Sequence, residues 1–192
     1  MLFRSTAIGG AGAGAENSTT HPISATISGS TIQPAAAPKA ADAATVALNA
    51  SSDERILAIT GGFDIALARV SEDVPDPDVG SLSMGASASA NQLDGAITAQ
   101  IDGASTLNAG ALTLLAQDGS AIGAYALSGA MGSGTTALGH SFNGALVGAG
   151  TGNSINRPVA ALIGSPGATS PGTGSLSLSS ASLTAQRASR IV

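Results

Sequence analysis

The densest acidic cluster in the chain is Glu72, Asp73, Asp76 and Asp78. Four carboxylates on one loop can hold Ca²⁺ through hard oxygen ligands when the loop turns them toward one centre. Pro75 and Pro77 break up the cluster, no glycine-rich ligand loop surrounds it, and the repeated Gly-Gly-x-Gly-x-Asp of calcium-binding β-rolls is missing. The four are read as a solvated acidic loop and as the sole candidate Ca²⁺ ligands; no other metal or cofactor is expected.

His21 and His140 are the only histidines. Ser141 beside His140 makes no triad, because adjacent strand residues point to opposite faces. Asp53, Glu54 and Arg55 fall on a corner between two expected strands. Glycosidases need paired carboxylates around the scissile bond, and the equivalent corner further on is Gly119-Ser120-Ala121. The charges at 53–55 are therefore expected to contact solvent, with a local ion pair of little worth. The glycine-rich stretches Gly9 to Gly14 and Gly148 to Gly152 lack a following Lys-Ser/Thr, so they are read as turns or close stacking rather than phosphate loops. Carbohydrate sites favour aromatic platforms, and the aromatic residues are Phe3, Phe63, Tyr125 and Phe142 alone. No catalytic residue is expected, and the chain is read as not an enzyme.

The elements that would position any such group follow from composition. Gly accounts for 26 of 192 residues, aromatics for 2% and charged residues for 10%, with Trp and Cys absent. A round core normally takes bulky rings and branched chains to fill its centre; an Ala-, Ser- and Gly-rich chain fills only a narrow interior. Low charge and a mean hydropathy of +0.31 argue against charge-driven disorder. A net charge of −5 with seven scattered Lys and Arg predicts no basic face for nucleic acid. The start lacks the apolar core of a signal peptide, and no run of apolar residues is long enough to span a bilayer as a helix; no membrane insertion is expected.

Self-similarity is the main signal. Ile23-Ser-Ala-Thr-Ile27 recurs as Ile97-Thr-Ala-Gln-Ile101 and Val159-Ala-Ala-Leu-Ile163, each with alternating apolar positions. A second segment, Thr45 to Ala50, recurs at Ala111 to Ala116 and Ser175 to Ser180. It aligns Val46, Leu112 and Leu176, with spacings 112 − 46 = 66 and 176 − 112 = 64. A third, Ile56 to Thr60, recurs at Ile122 to Ala126. A fourth matches Leu82 to Ala88 with Ala137 to Phe142, and Ile8 to Ala15 reads as its degenerate first copy. The pattern predicts one module over 1–192 of nearly three repeats of about 64 residues. At roughly 20 to 25 residues per coil, each repeat would wind about three coils, or about nine in all. Pro-containing insertions at 33–43, 71–79 and 165–173 are expected as surface loops.

The segments Ile97-Thr-Ala-Gln-Ile-Asp-Gly-Ala-Ser and Gly110-Ala-Leu-Thr-Leu-Leu-Ala-Gln-Asp-Gly-Ser-Ala-Ile122 resemble the repeats of large filamentous adhesins of Gram-negative bacteria, including the leukotoxin-type. The run Gly85 to Asn91 that precedes them fits the same pattern. The resemblance covers most of Ile8 to Ile122 and weakens in the third repeat, where His140 and Phe142 replace small residues. It implies an all-β, right-handed parallel β-helix (a β-solenoid with short loop insertions) in an exported protein, extracellular or on the bacterial cell surface, and it brings no catalytic residues.

The expected function is a structural or adhesive stalk, part of a longer chain. Its expected partners are other segments of the same protein, copies of itself stacked end to end into filaments, or a host or cell-surface ligand. The rival readings are a viral tail-fibre or tailspike shaft and a polysaccharide-acting β-helix enzyme.

Overall fold

A computed structural model describes residues 4–33, 44–69, 78–103, 105–136, 139–164 and 173–192. Among them every regular element is a strand: β1 (Arg4–Thr20), β2 (Ile23–Ile27), β3 (Thr31–Ile32), β4 (Thr45–Ser52), β5 (Arg55–Arg69), β6 (Asp78–Asp94), β7 (Ile97–Ile101), β8 (Thr106–Asp118), β9 (Ala121–Thr135), β10 (Ser141–Asn156), β11 (Val159–Ile163), β12 (Leu176–Arg187) and β13 (Arg190–Ile191). The protein is all-β, and its sheets are parallel. The strand orders are β1-β6-β10, β2-β7-β11, β3 and β4 with β8 and then β12, and β5-β9-β13. In each sheet the second repeat supplies the middle strand.

Strands at the same position of successive repeats are thus bonded directly to one another. Ile23 pairs with Ile97, which pairs with Val159. Each repeat contributes one layer to a sheet, so the described strands lie three deep rather than the expected nine. The short-coil expectation fails because these strands run up to 17 residues, so each repeat places a single strand position, not three, in a given sheet.

Residues segregate into two compact units, unit 1 (1–17, 57–91, 123–153) and unit 2 (18–56, 92–122, 154–192). Unit 2 holds an aliphatic core. Ile97, Ala99 and Ile101 of β7 and Leu107, Leu112, Leu114 and Ala116 of β8 are buried to 1% exposure or less. Of their partners in the first and third repeats, Leu48 and Ala50 are also buried, but Ile23, Val46 and Val159 are only half-buried and Leu183 is exposed. A middle strand is covered from both sides along the hydrogen-bonding direction, whereas an outer strand has one neighbour.

Two registers differ from the sequence expectation. Leu176 lies beside Leu107 rather than Leu112, and Leu183 beside Leu114. In β8 the inward phase changes from Leu107 and Ala109 to Leu112 and Leu114 across Gly110, so both limbs present the same apolar alternation. In the first repeat β3 pairs with the first limb and β4 with the second, with 33–44 inserted between them. That insertion conceals the first limb in the sequence. Likewise β10 begins at Ser141, and Asn143, beyond the end of the copy matched to Leu82–Ala88, lies beside Ser81, whose hydroxyl donates to Asn143 Oδ1 at 2.8 Å. The copy expected at Ala137 to Phe142 is therefore displaced. Of the expected loops, most of 33–43, 71–79 and 165–173 lies outside the described residues; Asp78 and Val79 belong to β6 and not to a loop.

Unit 1 inverts the expected interior. In β6 the buried side is Ser81, Ser83, Ser87, Ser89 and Asn91, while Leu82 and Met84 are exposed. In β5 the buried side is Ala58, Thr60, Ala66 and Ala68, while Leu57, Ile59, Phe63, Ile65 and Leu67 are all more than half exposed. The cause is close approach of the two sheets. A Cβ added at Gly62 of β5 would lie 2.7 Å from the carbonyl oxygen of Ala86 in β6. Ser83 Oγ accordingly reaches across to donate to the Asp64 carbonyl at 2.9 Å and its carboxylate at 2.6 Å. A gap that narrow is filled mostly by Gly, Ala, Ser and Thr, so alternation sends the large aliphatic and aromatic residues outward.

Candidate functional site

Three features of the described residues carry chemistry or recognition. The first, in unit 2, is Arg157 at the corner between β10 and β11. Its side chain is fully buried, and the guanidinium spends all five N–H donors on the protein. Nε donates to Gly95 O at 3.3 Å. Nη1 donates to Ser52 Oγ at 2.9 Å and Ser120 Oγ at 3.2 Å. Nη2 donates to His21 O at 3.1 Å and Glu54 Oε1 at 3.4 Å. Glu54 Oε2 is also 3.4 Å from Nη1, and the fully buried Asp118 brings Oδ1 within 4.0 Å.

Arg157 belongs to the third repeat, and its partners come from corners of the first and second. His21, Gly95 and Arg157 are equivalent corner positions, since 95 − 21 = 74 and 157 − 95 = 62 match the β2-β7 and β7-β11 spacings. Gly95 adopts φ of 111°, and a Cβ there would lie 2.5 Å from His21 O, so a side chain would fill the space the guanidinium uses. With every donor engaged, Arg157 has none left for a substrate. The arrangement fastens layers together; it does not present a charge.

The second feature is a row of asparagines in unit 1. Asn17 Nδ2 donates to Asn91 Oδ1 at 2.9 Å, and Asn91 Nδ2 donates to Asn153 Oδ1 at 3.0 Å. Asn91 is buried at 2% exposure and also donates to Gly123 O at 2.5 Å. The third is the outer face of β5 and β9 in the same unit, where Ile59, Phe63 and Ile65 are joined by Tyr125, Leu127 and Met131, all at least half exposed. Contiguous apolar surface of this kind marks interaction sites more often than chance exposure.

The residues singled out in the sequence are scattered. Glu72, Asp73 and Asp76 lie outside the described residues; Asp78 starts β6. Asp78 lines an open groove of unit 1 with Ser5, Thr6, His140 and Phe142. Among the described residues no three His, Asp or Glu side chains converge as a metal site. His21 contributes its carbonyl to Arg157, and its side chain is exposed. Glu54 corrects the solvent-contact reading of 53–55: it pairs with a buried guanidinium.

Arg157 and the asparagine row both escaped the sequence reading. The row had a signal, because its spacings, 91 − 17 = 74 and 153 − 91 = 62, repeat those of Ile23, Ile97 and Val159. No protein-family model, no curated protein and no solved structure matches the chain.

Proposed function

We propose that the chain is a structural and adhesive stalk module whose strands wind as a right-handed parallel β-helix. The observation that carries this reading is the in-register parallel pairing of the same strand position in three successive repeats. A parallel neighbour in one sheet requires a crossover, and such crossovers are right-handed in nearly all proteins. Repetition of like residues through successive layers supports a rod, because each strand pairs with the same position of the adjacent repeat. The apolar outer face of β5 and β9 supports an adhesive role. Placement outside the cell or on a bacterial surface rests on the resemblance to filamentous adhesins. The partners proposed are further copies of the chain, stacked end to end, and a host or cell-surface ligand.

Beads coated with the chain and driven by flow over cell monolayers or alkylated glass test the adhesive role. Retention above that of albumin-coated beads is expected, and it drops when Leu57, Ile59, Ile65 and Leu67 are replaced by Ser. Retention equal to albumin overturns adhesion.

A further inference from the structure

The asparagine row of unit 1 has a direction. Asn17 gives its amide N–H to Asn91 and Asn91 gives its own to Asn153. Its two ends are therefore complementary: among the described residues Asn17 Oδ1 is an open acceptor and Asn153 Nδ2 an open donor. Both lie on outer strands of one sheet, β1 and β10, whose outer backbone groups face no further strand of that sheet.

We infer that β1 of a second copy of this chain adds in parallel register to β10, with Asn153 Nδ2 of one copy donating to Asn17 Oδ1 of the next. This deepens the end-to-end stacking in the stalk reading and rests on it. Matching Asn17 to Asn153 sets an offset of 153 − 17 = 136 residues between copies. The same offset follows independently in unit 2, where continuing the aliphatic row would set Ile23 on Val159, since 159 − 23 = 136.

At that offset the side of β1 bearing Ala11, Ala13 and Ala15 meets Val147, Ala149 and Thr151. Those positions are exposed in β10 and half-buried in β1, where small residues continue the narrow interior. Glu16 meets Gly152, so no like charges oppose each other along these strands. A slip by one residue would turn both asparagines to the wrong face and leave the buried row unextended. The row thus selects one orientation, head to tail, and one register. Amide ladders play the same part in other in-register stacks of identical strands.

The test uses the full chain in sedimentation velocity over a concentration series, comparing wild type with Asn153→Asp. The carboxylate keeps the acceptor for Asn91 Nδ2, so the circular dichroism spectrum should not change, but it removes the outward donor. Association is expected to weaken roughly tenfold or more. Below about pH 4, where an ordinary Asp protonates, the donor returns and association recovers toward wild type measured at the same pH.

Wild type that stays monomeric throughout overturns both this proposal and end-to-end stacking. Wild type and variant that associate equally, or a variant that acid does not restore, overturn the asparagine junction and leave stacking standing. Asn153→Ala, which cannot donate, replaces the Asp variant if that fails to fold; its expected loss is the same and equal association again overturns the junction.

Discussion

Replacing Arg157 by Met is the most informative single perturbation of the fold. Met preserves most of the volume of a fully buried side chain, so little of the effect comes from a cavity. What is lost is a set of five donated hydrogen bonds and the positive charge facing Glu54 and Asp118. The two carboxylates respond differently. Glu54 is 32% exposed and regains water, whereas Asp118 at 0% has no such recourse. Asp118 Oδ2 already lacks a hydrogen-bond partner, and Ser120 N–H, 3.2 Å from Oδ1, is its backbone donor. Removing one member of a buried ion pair costs about 3–5 kcal/mol, mostly as an uncompensated charge. With a urea dependence of roughly 2 kcal/mol per molar for a small domain, the unfolding midpoint should fall by about 1.5–2.5 M. Circular dichroism at a β-sheet wavelength follows the transition. Arg157→Lys keeps the charge but not the fork and should lie between the two, while Glu54→Gln should cost less than about 1 kcal/mol because its pair is partly solvated. A Met variant that shifts the midpoint by less than about 0.5 M, or a Lys variant worse than Met, refutes the view that the guanidinium fastens the corners.

Position within a sheet should decide the cost of core truncation. Leu114→Ala, at 0% exposure between Leu48 and Leu183, should lose about 3–5 kcal/mol, and Leu183→Ala, at 44% exposure, less than half of that; equal losses in urea titrations would contradict the three-deep stacking. Gly62→Val should destabilise unit 1 by about 2 kcal/mol or more because its first carbon meets Ala86 O at 2.7 Å. Gly10→Ala, with nothing within 4 Å, should be neutral or stabilising by about 0.5 kcal/mol in the same titration. Paired cysteines at Leu107 and Leu176 should oxidise to a disulfide, whereas Leu112 with Leu176 should not; non-reducing electrophoresis with mass mapping distinguishes the two registers.

The strand class and the best-conserved pairing were legible because alternation is a local property. Ile23, Ile97 and Val159 begin segments of equal length and identical phase, and the structure pairs them residue for residue. The β8–β12 register was not legible, because Leu176-Ser-Leu178 fits either limb of β8 equally well by pattern. What separates the two choices is the change of inward phase at Gly110, which the pattern of Leu176-Ser-Leu178 does not report. Depth was misjudged for a different reason: pattern gives strand phase, but strand length depends on how far the ladder stays paired, which turn residues alone do not report. Arg157 was invisible because burial of a charge depends on three corners meeting, and those corners are 62 to 136 residues apart in sequence. Gly95, the equivalent corner that leaves room beside His21, is informative only once the two are known to be equivalent.

The inverted interior of unit 1 links the two halves of the stalk reading. Its outward Leu57, Ile59, Phe63, Ile65 and Leu67 are 52–69% exposed, so a partner covering them removes a little over half of each side chain from water. At about 1.5–3 kcal/mol for full burial of such a residue, five of them supply roughly 4–9 kcal/mol. Association itself costs an estimated 4–15 kcal/mol in lost freedom, so one copy holds an apolar surface weakly or not at all. Copies joined head to tail change this balance, since once the first face has docked the next one binds at high effective concentration. Adhesion by this face should therefore depend steeply on assembly: beads carrying Asn153→Asp, with every apolar residue intact, should lose most of their retention under flow. If they hold as firmly as wild type, stacking is irrelevant to attachment and the single face must bind through something other than buried apolar area.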